Sequence, residues 1–185
     1  MRTMNLMLDL ETLGVKPGAV VLSIAAVPFA SQYDIEPFYQ KIRVESSTAA
    51  GLVIDPATEK WWATQDMEVR REAHSGILEI HVVLDMFAEY IRQLPEAPRI
   101  WGNGSDFDNP ILSYAYSACG IRLPWSFRDN MCFRTLKGLF PGIPYTPPTA
   151  AHNALSDAQA QAAHANKIIY WLQTKGALPE NAKDN

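Results

Sequence analysis

Hydrophobic and polar positions alternate from Asn5 to Glu11, where Leu8 and Leu10 point one way and Asp9 and Glu11 the other, as in a strand of period two. Ala19 to Phe29 and Pro37 to Val44 also read as strands, and the Gly14-Val15-Lys16-Pro17-Gly18 run predicts a turn that makes the first two an antiparallel hairpin. Thr48 to Leu94 reads as mostly helical. Within it, Leu78, Val82, Met86, Tyr90 and Leu94 recur at every fourth position as one apolar helix face, and Pro95 and Pro98 end the helix. A short strand is predicted at Arg99 to Gly102, a helix at Pro110 to Cys119 stopped by Gly120, and another short strand near Ser126 to Asp129. A helix follows at about Cys132 to Phe140, then the proline-rich loop Pro141 to Thr149. The last helix starts at Asn153, a good N-cap residue, with Ala158, Ala162, Ala165, Ile169 and Leu172 along one side. A frayed tail is expected after Gly176. Strands joined first as a meander and then separated by helices predict an α/β fold, a mixed sheet flanked by helices.

With 185 residues, 48% of them apolar, the chain is long enough for one domain with a substantial core, and no linker divides it. The N-terminal residues lack a basic stretch followed by an apolar one. The longest apolar run, Ala19 to Ala30, is too short and too interrupted to span a bilayer. No membrane association and a cytoplasmic location are the expectations. Cys119 and Cys132 form no recognisable motif and read as free thiols. The net charge of −4 argues against a general polyanion binder, which relies on Lys and Arg at phosphates. It leaves room for an enzyme that holds phosphate through bound metal ions. Arg122, Arg128, Arg134 and Lys137 gather in one stretch, either as a local positive rim or as separate solvated side chains.

The carboxylates then change the picture. Asp9 and Glu11, two apart on one strand, face the same way and repel each other unless a cation lies between them. A hard divalent ion with oxygen ligands resolves that repulsion; two solvated acids at a strand end are the alternative. Asp106 and Asp108 follow the strand Arg99 to Gly102 in the loop WGNGSDFD, at the kind of strand end where α/β sheets collect ligands. Phe107 can anchor that loop, and Asp108 reads equally well as a helix cap. In AHNALSDA, His152 precedes Asp157 by five residues, which on a continuous helix separates them by about 140°. With Asn153 as the cap, His152 lies on the preceding loop, and both side chains can reach one site.

DLE on the first strand, WGNGSDFD midway and HNALSD near the C-terminus together resemble the DEDDh branch of the ribonuclease H-like 3′–5′ exonucleases, in the family's order, over about Asn5 to Trp171. The WW pair of TEKWWATQ and the RTL of CFRTLKGLF resemble more specifically the phage and bacterial exonuclease VIII/exoribonuclease-type subgroup. The resemblance implies a ribonuclease H-like mixed sheet of five or six strands. It also implies metal ligands at Asp9, Glu11, Asp108 and Asp157, His152 as general base, and two Mg²⁺ or Mn²⁺ ions. Asp108 is preferred because Phe107 immediately precedes it, and Asp106 keeps that choice open. The implied reaction is hydrolysis of RNA or single-stranded DNA from the 3′ end, releasing nucleoside 5′-monophosphates. Thr12 and Leu13, next to the DLE motif, are candidates to contact the terminal nucleotide. Trp62 is the candidate for base stacking, although a helix should bury one of Trp61 and Trp62 and expose the other. Asn103 either binds a sugar or holds its loop. His74, His81 and His164 read as structural or solvent-facing. Members of the family often pair as homodimers, a property no feature of this sequence specifies. A hydrolase of very short oligonucleotides and a non-catalytic nucleic-acid-binding module are the alternatives.

Overall fold

The computed structural model describes residues 4–150 and 152–175, so the tail expected to fray after Gly176 lies outside the described residues. Five strands form one sheet: β1 (Met4–Thr12), β2 (Val21–Phe29), β3 (Phe38–Lys41), β4 (Pro98–Gly102) and β5 (Asn130–Cys132), in the order β3-β2-β1-β4-β5. β1 and β2 form the expected antiparallel hairpin and β3 extends it antiparallel, whereas β4 and β5 run parallel to β1. This is the α/β mixed sheet that the sequence predicts. Among the described residues, seven helices connect and cover it: α1 (Val44–Ala49), α2 (Pro56–Ala63), α3 (Met67–Ala73), α4 (Ile80–Gln93), α5 (Asp108–Ala118), α6 (Phe133–Leu139) and α7 (Ala154–Thr174). No helix among the described residues is long and apolar enough to cross a membrane.

The period-two pattern of β1 divides the core. Leu6, Leu8 and Leu10 pack with Val83, Leu84 and Phe87 of α4 and with Ile111 and Leu112 of α5. Met7, pointing the other way, packs with Phe133 of α6 and with the alanines of α7. Ala158, Ala162 and Ala165 are buried and Ile169 packs beside them, so the small side chains let α7 lie close against β1 and β2. Asp9 and Glu11 therefore emerge on the α7 side of the sheet, at the end of the strand. A register shift between Glu11 and Thr12 breaks the ladder there, and such irregularities commonly re-aim side chains beside a site.

Three expectations need correction. The buried face of α4 is Ile80, Val83, Leu84, Phe87, Ala88 and Ile91, while Val82 and Met86 are exposed and Leu78 precedes the helix. Strict every-fourth spacing drifts around a 3.6-residue helix, whereas the observed three-and-four spacing stays on one face. The third strand is shorter than expected, because α1 already starts at Val44. Residues 127–129 form a 3₁₀ turn, with the Ser126 hydroxyl accepting from the Arg128 N–H, and β5 begins only at Asn130.

Candidate active site

The parallel strands β1, β4 and β5 end on one edge of the sheet, and the N-terminus of α7 meets that edge at β1. A cleft of about 530 Å³ opens there, lined by Asp9, Glu11, Asp157, His152, Asn103 and Trp61 among others. Asp9, Glu11 and Asp157 each offer a carboxylate oxygen within 4.8 Å of the others. Asn153 caps α7 by accepting from the Ser156 N–H at 3.1 Å, and its own N–H donates to Asp157 Oδ2 at 3.3 Å. His152 stands just before that cap with φ 58°, a left-handed backbone that turns the loop sharply into the helix. Its ring packs perpendicular to that of Trp61, with centroids 4.9 Å apart and planes at 88°.

Asp108 opens α5, buried and outside the group formed by Asp9, Glu11 and Asp157, whereas Asp106 is exposed to solvent. The Asp108 carboxylate accepts from the Leu10 N–H at 3.2 Å and from the Asn103 N–H at 2.8 Å, tying β1 to the loop after β4. Phe107 packs against the core and anchors that loop. Asn103 also receives Arg134 Nη2 on its carbonyl at 2.7 Å, so its backbone holds the loop. Gly102 is required for close packing here: a Cβ would sit 2.5 Å from Asn109 Oδ1 and 3.0 Å from Asp108 Oδ2. Gly102→Ala should therefore displace Asp108. Crowding of this kind costs about 1–3 kcal/mol, or roughly 2–4 °C of Tm per kcal/mol at this chain length. Thermal melting checks it, and an unchanged Tm would show that the loop yields freely.

The acids oppose one another's ionisation. Burial raises Asp9 well above the usual carboxylate range, with Asp108, Glu11 and Asp157 adding to the rise and the Gln161 hydrogen bond opposing it. Glu11 is pushed up to about 8, first by burial and then by Asp157 and Asp108. Burial pushes Asp108 up to about 6 against the N–H groups of Asn103 and Leu10 and the Arg134 charge. Asp157 is also raised by burial, opposed by the Asn153 N–H and by His152. Convergent hard oxygen donors that resist being charged together fit a divalent cation, which relieves the burial cost and the repulsion at once.

Two substrate-contact expectations change. Trp62 is only 2% exposed, and its indole N–H donates to the Thr12 carbonyl at 2.9 Å, fixing the strand end after the DLE motif. Trp61 is 43% exposed and presents the available aromatic surface, since neighbouring helical residues diverge by about 100°. Leu13 is 2% exposed within the core, its N–H donating to the Val20 carbonyl and its carbonyl accepting from the Asp55 N–H, so it offers nothing to the cleft. Thr12 and Asn103 line the cleft. His74 packs edge-on to Trp62, and His164 is buried between Phe133 and Tyr145.

Gln161 escaped sequence reading. It donates from Nε2 to Asp9 Oδ1 at 2.7 Å and lines the same cleft. Its signal was available: four residues after Asp157, it is a polar interruption in a stripe of buried alanines.

The sheet order sets the acids of β1 beside Asp157 of α7 and His152 of the loop before it, at one end of a mixed α/β sheet. The model of the 3′–5′ exoribonuclease Rv2179c-like domain matches residues 4–169, and the chain belongs to this family. No curated protein matches the chain. Among solved structures it is similar to E. coli Exonuclease I in complex with a dA16 oligonucleotide, with 18% identity and a TM-score of 0.64 over 94% of this chain and 43% of that one. It thus spans less than half the length of that enzyme. It is also similar to the nuclease domain of 3′hExo, a DEDDh family member bound to rAMP, with 13% identity and a TM-score of 0.57 over 98% and 97% of the two chains. Exonuclease X in complex with 5′ overhanging duplex DNA shares 17% identity and a TM-score of 0.54, over 92% of each chain. At these identities the similarities are of fold.

Proposed function

We propose that this domain removes nucleotides from the 3′ ends of RNA or single-stranded DNA, releasing nucleoside 5′-monophosphates. The observation that carries the reading is the convergence of Asp9, Glu11, Asp157 and His152 on one cleft, from two elements some 140 residues apart in sequence. Asp9, Glu11 and Asp157 would hold the divalent ions, with Asp108 supporting a ligand position. Two bound Mg²⁺ or Mn²⁺ ions would supply charge neutralisation of the phosphate and stabilisation of the attacking and leaving oxygens. His152 takes a proton from the attacking water as its oxygen bonds to phosphorus. The P–O3′ bond breaks and the departing O3′ takes a proton from solvent water, leaving a 3′ hydroxyl on the shortened strand and a 5′-monophosphate on the released nucleoside, while His152 returns its proton to solvent.

The chain's own geometry supports each role. Trp61 packs perpendicular to the His152 ring and steadies it, and its exposed indole gives a terminal base a sequence-tolerant stacking surface. The Thr12 carbonyl, fixed by Trp62, keeps the end of β1 rigid beside Glu11. A cleft of about 530 Å³ lies within the range of small-ligand sites, a size suited to a terminal nucleotide.

The test is degradation of a 5′-labelled single-stranded RNA and the matching DNA with Mn²⁺ or with EDTA, by wild type and Asp157→Ala. A ladder shortening from the 3′ end in Mn²⁺ alone, and absent from the variant, is expected. The better substrate identifies the preferred sugar. Persistent cleavage in EDTA, or an active variant, would overturn the reading.

A further inference from the structure

Gln161 is placed where packing alone would favour another alanine. Ala158, Ala162 and Ala165 surround it on the sheet-facing side of α7, and each is buried without a polar atom to satisfy. Gln161 is 2% exposed and brings a full amide into this region. Its Nε2 donates to Asp9 Oδ1 at 2.7 Å, while its Oε1 is buried and has no partner among the described residues. A buried carbonyl oxygen without a donor is unfavourable, and such groups are uncommon unless water or a ligand completes them. Its position, one helical turn beyond Asp157 and against Asp9, puts it beside two of the three clustered acids.

We propose that Gln161 is a positioning residue of the metal centre: its N–H fixes the Asp9 carboxylate relative to Glu11 and Asp157, and its unpaired carbonyl accepts from a water in the cation's hydration shell. The inference rests on the metal-dependent reading above and assigns a residue that the DLE and HNALSD motifs leave out. Its chemistry is that of the outer-shell partners which orient ligating carboxylates. A divalent ion that keeps part of its hydration shell provides the donors Oε1 requires.

The competing role is purely structural, a hydrogen bond clipping α7 to β1. Metal binding separates the two. Mn²⁺ is titrated calorimetrically into wild type, Gln161→Met and Gln161→Asn, with Tm in EDTA and steady-state cleavage of single-stranded RNA measured beside it. Met keeps the length and removes both polar atoms. Asn keeps a buried amide but withdraws it by one methylene, so it remains informative if Met perturbs folding. Both variants should bind Mn²⁺ about 10–100-fold more weakly and need correspondingly more Mn²⁺ for half-maximal activity. KM for the oligonucleotide should stay within about twofold, because the substrate-stacking surface is untouched. Wild-type Mn²⁺ affinity in both variants would overturn the assignment alone. Absence of Mn²⁺ binding by wild type would overturn the metal centre and the assignment together, whereas Mn²⁺ binding without cleavage of either RNA or single-stranded DNA would count only against the exonuclease reading.

Discussion

Asp9→Asn is expected to remove 3′ trimming and, in metal-free buffer at pH 8, to raise the Tm. The two effects share one cause. Asp9 is the acid on which the others converge: burial is the main cost of its ionisation, and Asp108, Glu11 and Asp157 all add to it. At pH 8 the wild-type fold is penalised either for that charge or for keeping the proton that solvent would remove, and the unfolded chain bears neither penalty. Asparagine stays neutral at every pH and keeps an oxygen in place to accept from Gln161, so the 2.7 Å hydrogen bond survives. For a chain of this length each kcal/mol relieved appears as about 2–4 °C. The same substitution removes a charged ligand from the proposed metal centre. Perturbing even an outer-shell partner of a metal site costs roughly 10–100-fold in affinity or activity, so a loss above about 100-fold is expected for a direct ligand. A melting curve in EDTA and a cleavage assay in Mn²⁺ read the two effects separately. Full activity in Asp9→Asn would remove the acids from the reaction, and a drop in Tm would mean that the Asp9 charge is supported in the fold.

The acids were legible because strand geometry is simple. A period of two gives Asp9 and Glu11 a shared face whatever the rest of the chain does, and the N-cap at Asn153 separates His152 from the helix that carries Asp157. Orientations that depend on angle were harder to read. Trp61 and Trp62 differ by one step of about 100°, and only the packing of α2 against the strand end determines which one donates to the Thr12 carbonyl. On α4, the every-fourth reading chose Val82 and Met86, whereas the sheet selected Val83 and Phe87 one position along. Leu13 illustrates a different limit: adjacency to a motif does not imply access to a site, and the hairpin turned this residue into the core. Asp106 and Asp108 part according to where β4 ends: the acid that opens α5 accepts the backbone N–H of Leu10, while Asp106 faces solvent.

The metal-free protein should lose stability as pH rises from about 6.5 to 8.5, and Mn²⁺ should restore it most at the upper end. Asp9, Glu11, Asp108 and Asp157 all have folded-state values above those of ordinary carboxylates, with Glu11 at about 8 and Asp108 at about 6. Below the unfolded value, near 4, both states are protonated and the fold carries no charge penalty. Between that value and about 8 the folded chain holds protons that the unfolded chain has released, so stability falls as pH rises through the window. Glu11 alone accounts for an effect on the order of a few kcal/mol at most, or roughly 5–10 °C of Tm. His164 works in the opposite direction: burial lowers its value, so its contribution is lost on acidification below the ordinary histidine range, and the carboxylate effect is best sought above pH 6.5. A divalent cation competes with these protons for the same oxygens, so its stabilising effect grows as they leave. Melting in EDTA at pH 6.5, 7.5 and 8.5, repeated with Mn²⁺, should give a Tm that falls in the first series and a Mn²⁺-induced rise that widens across the second. A flat series in EDTA would mean that the acids ionise without opposition, and the physical argument for a cation among them would be lost.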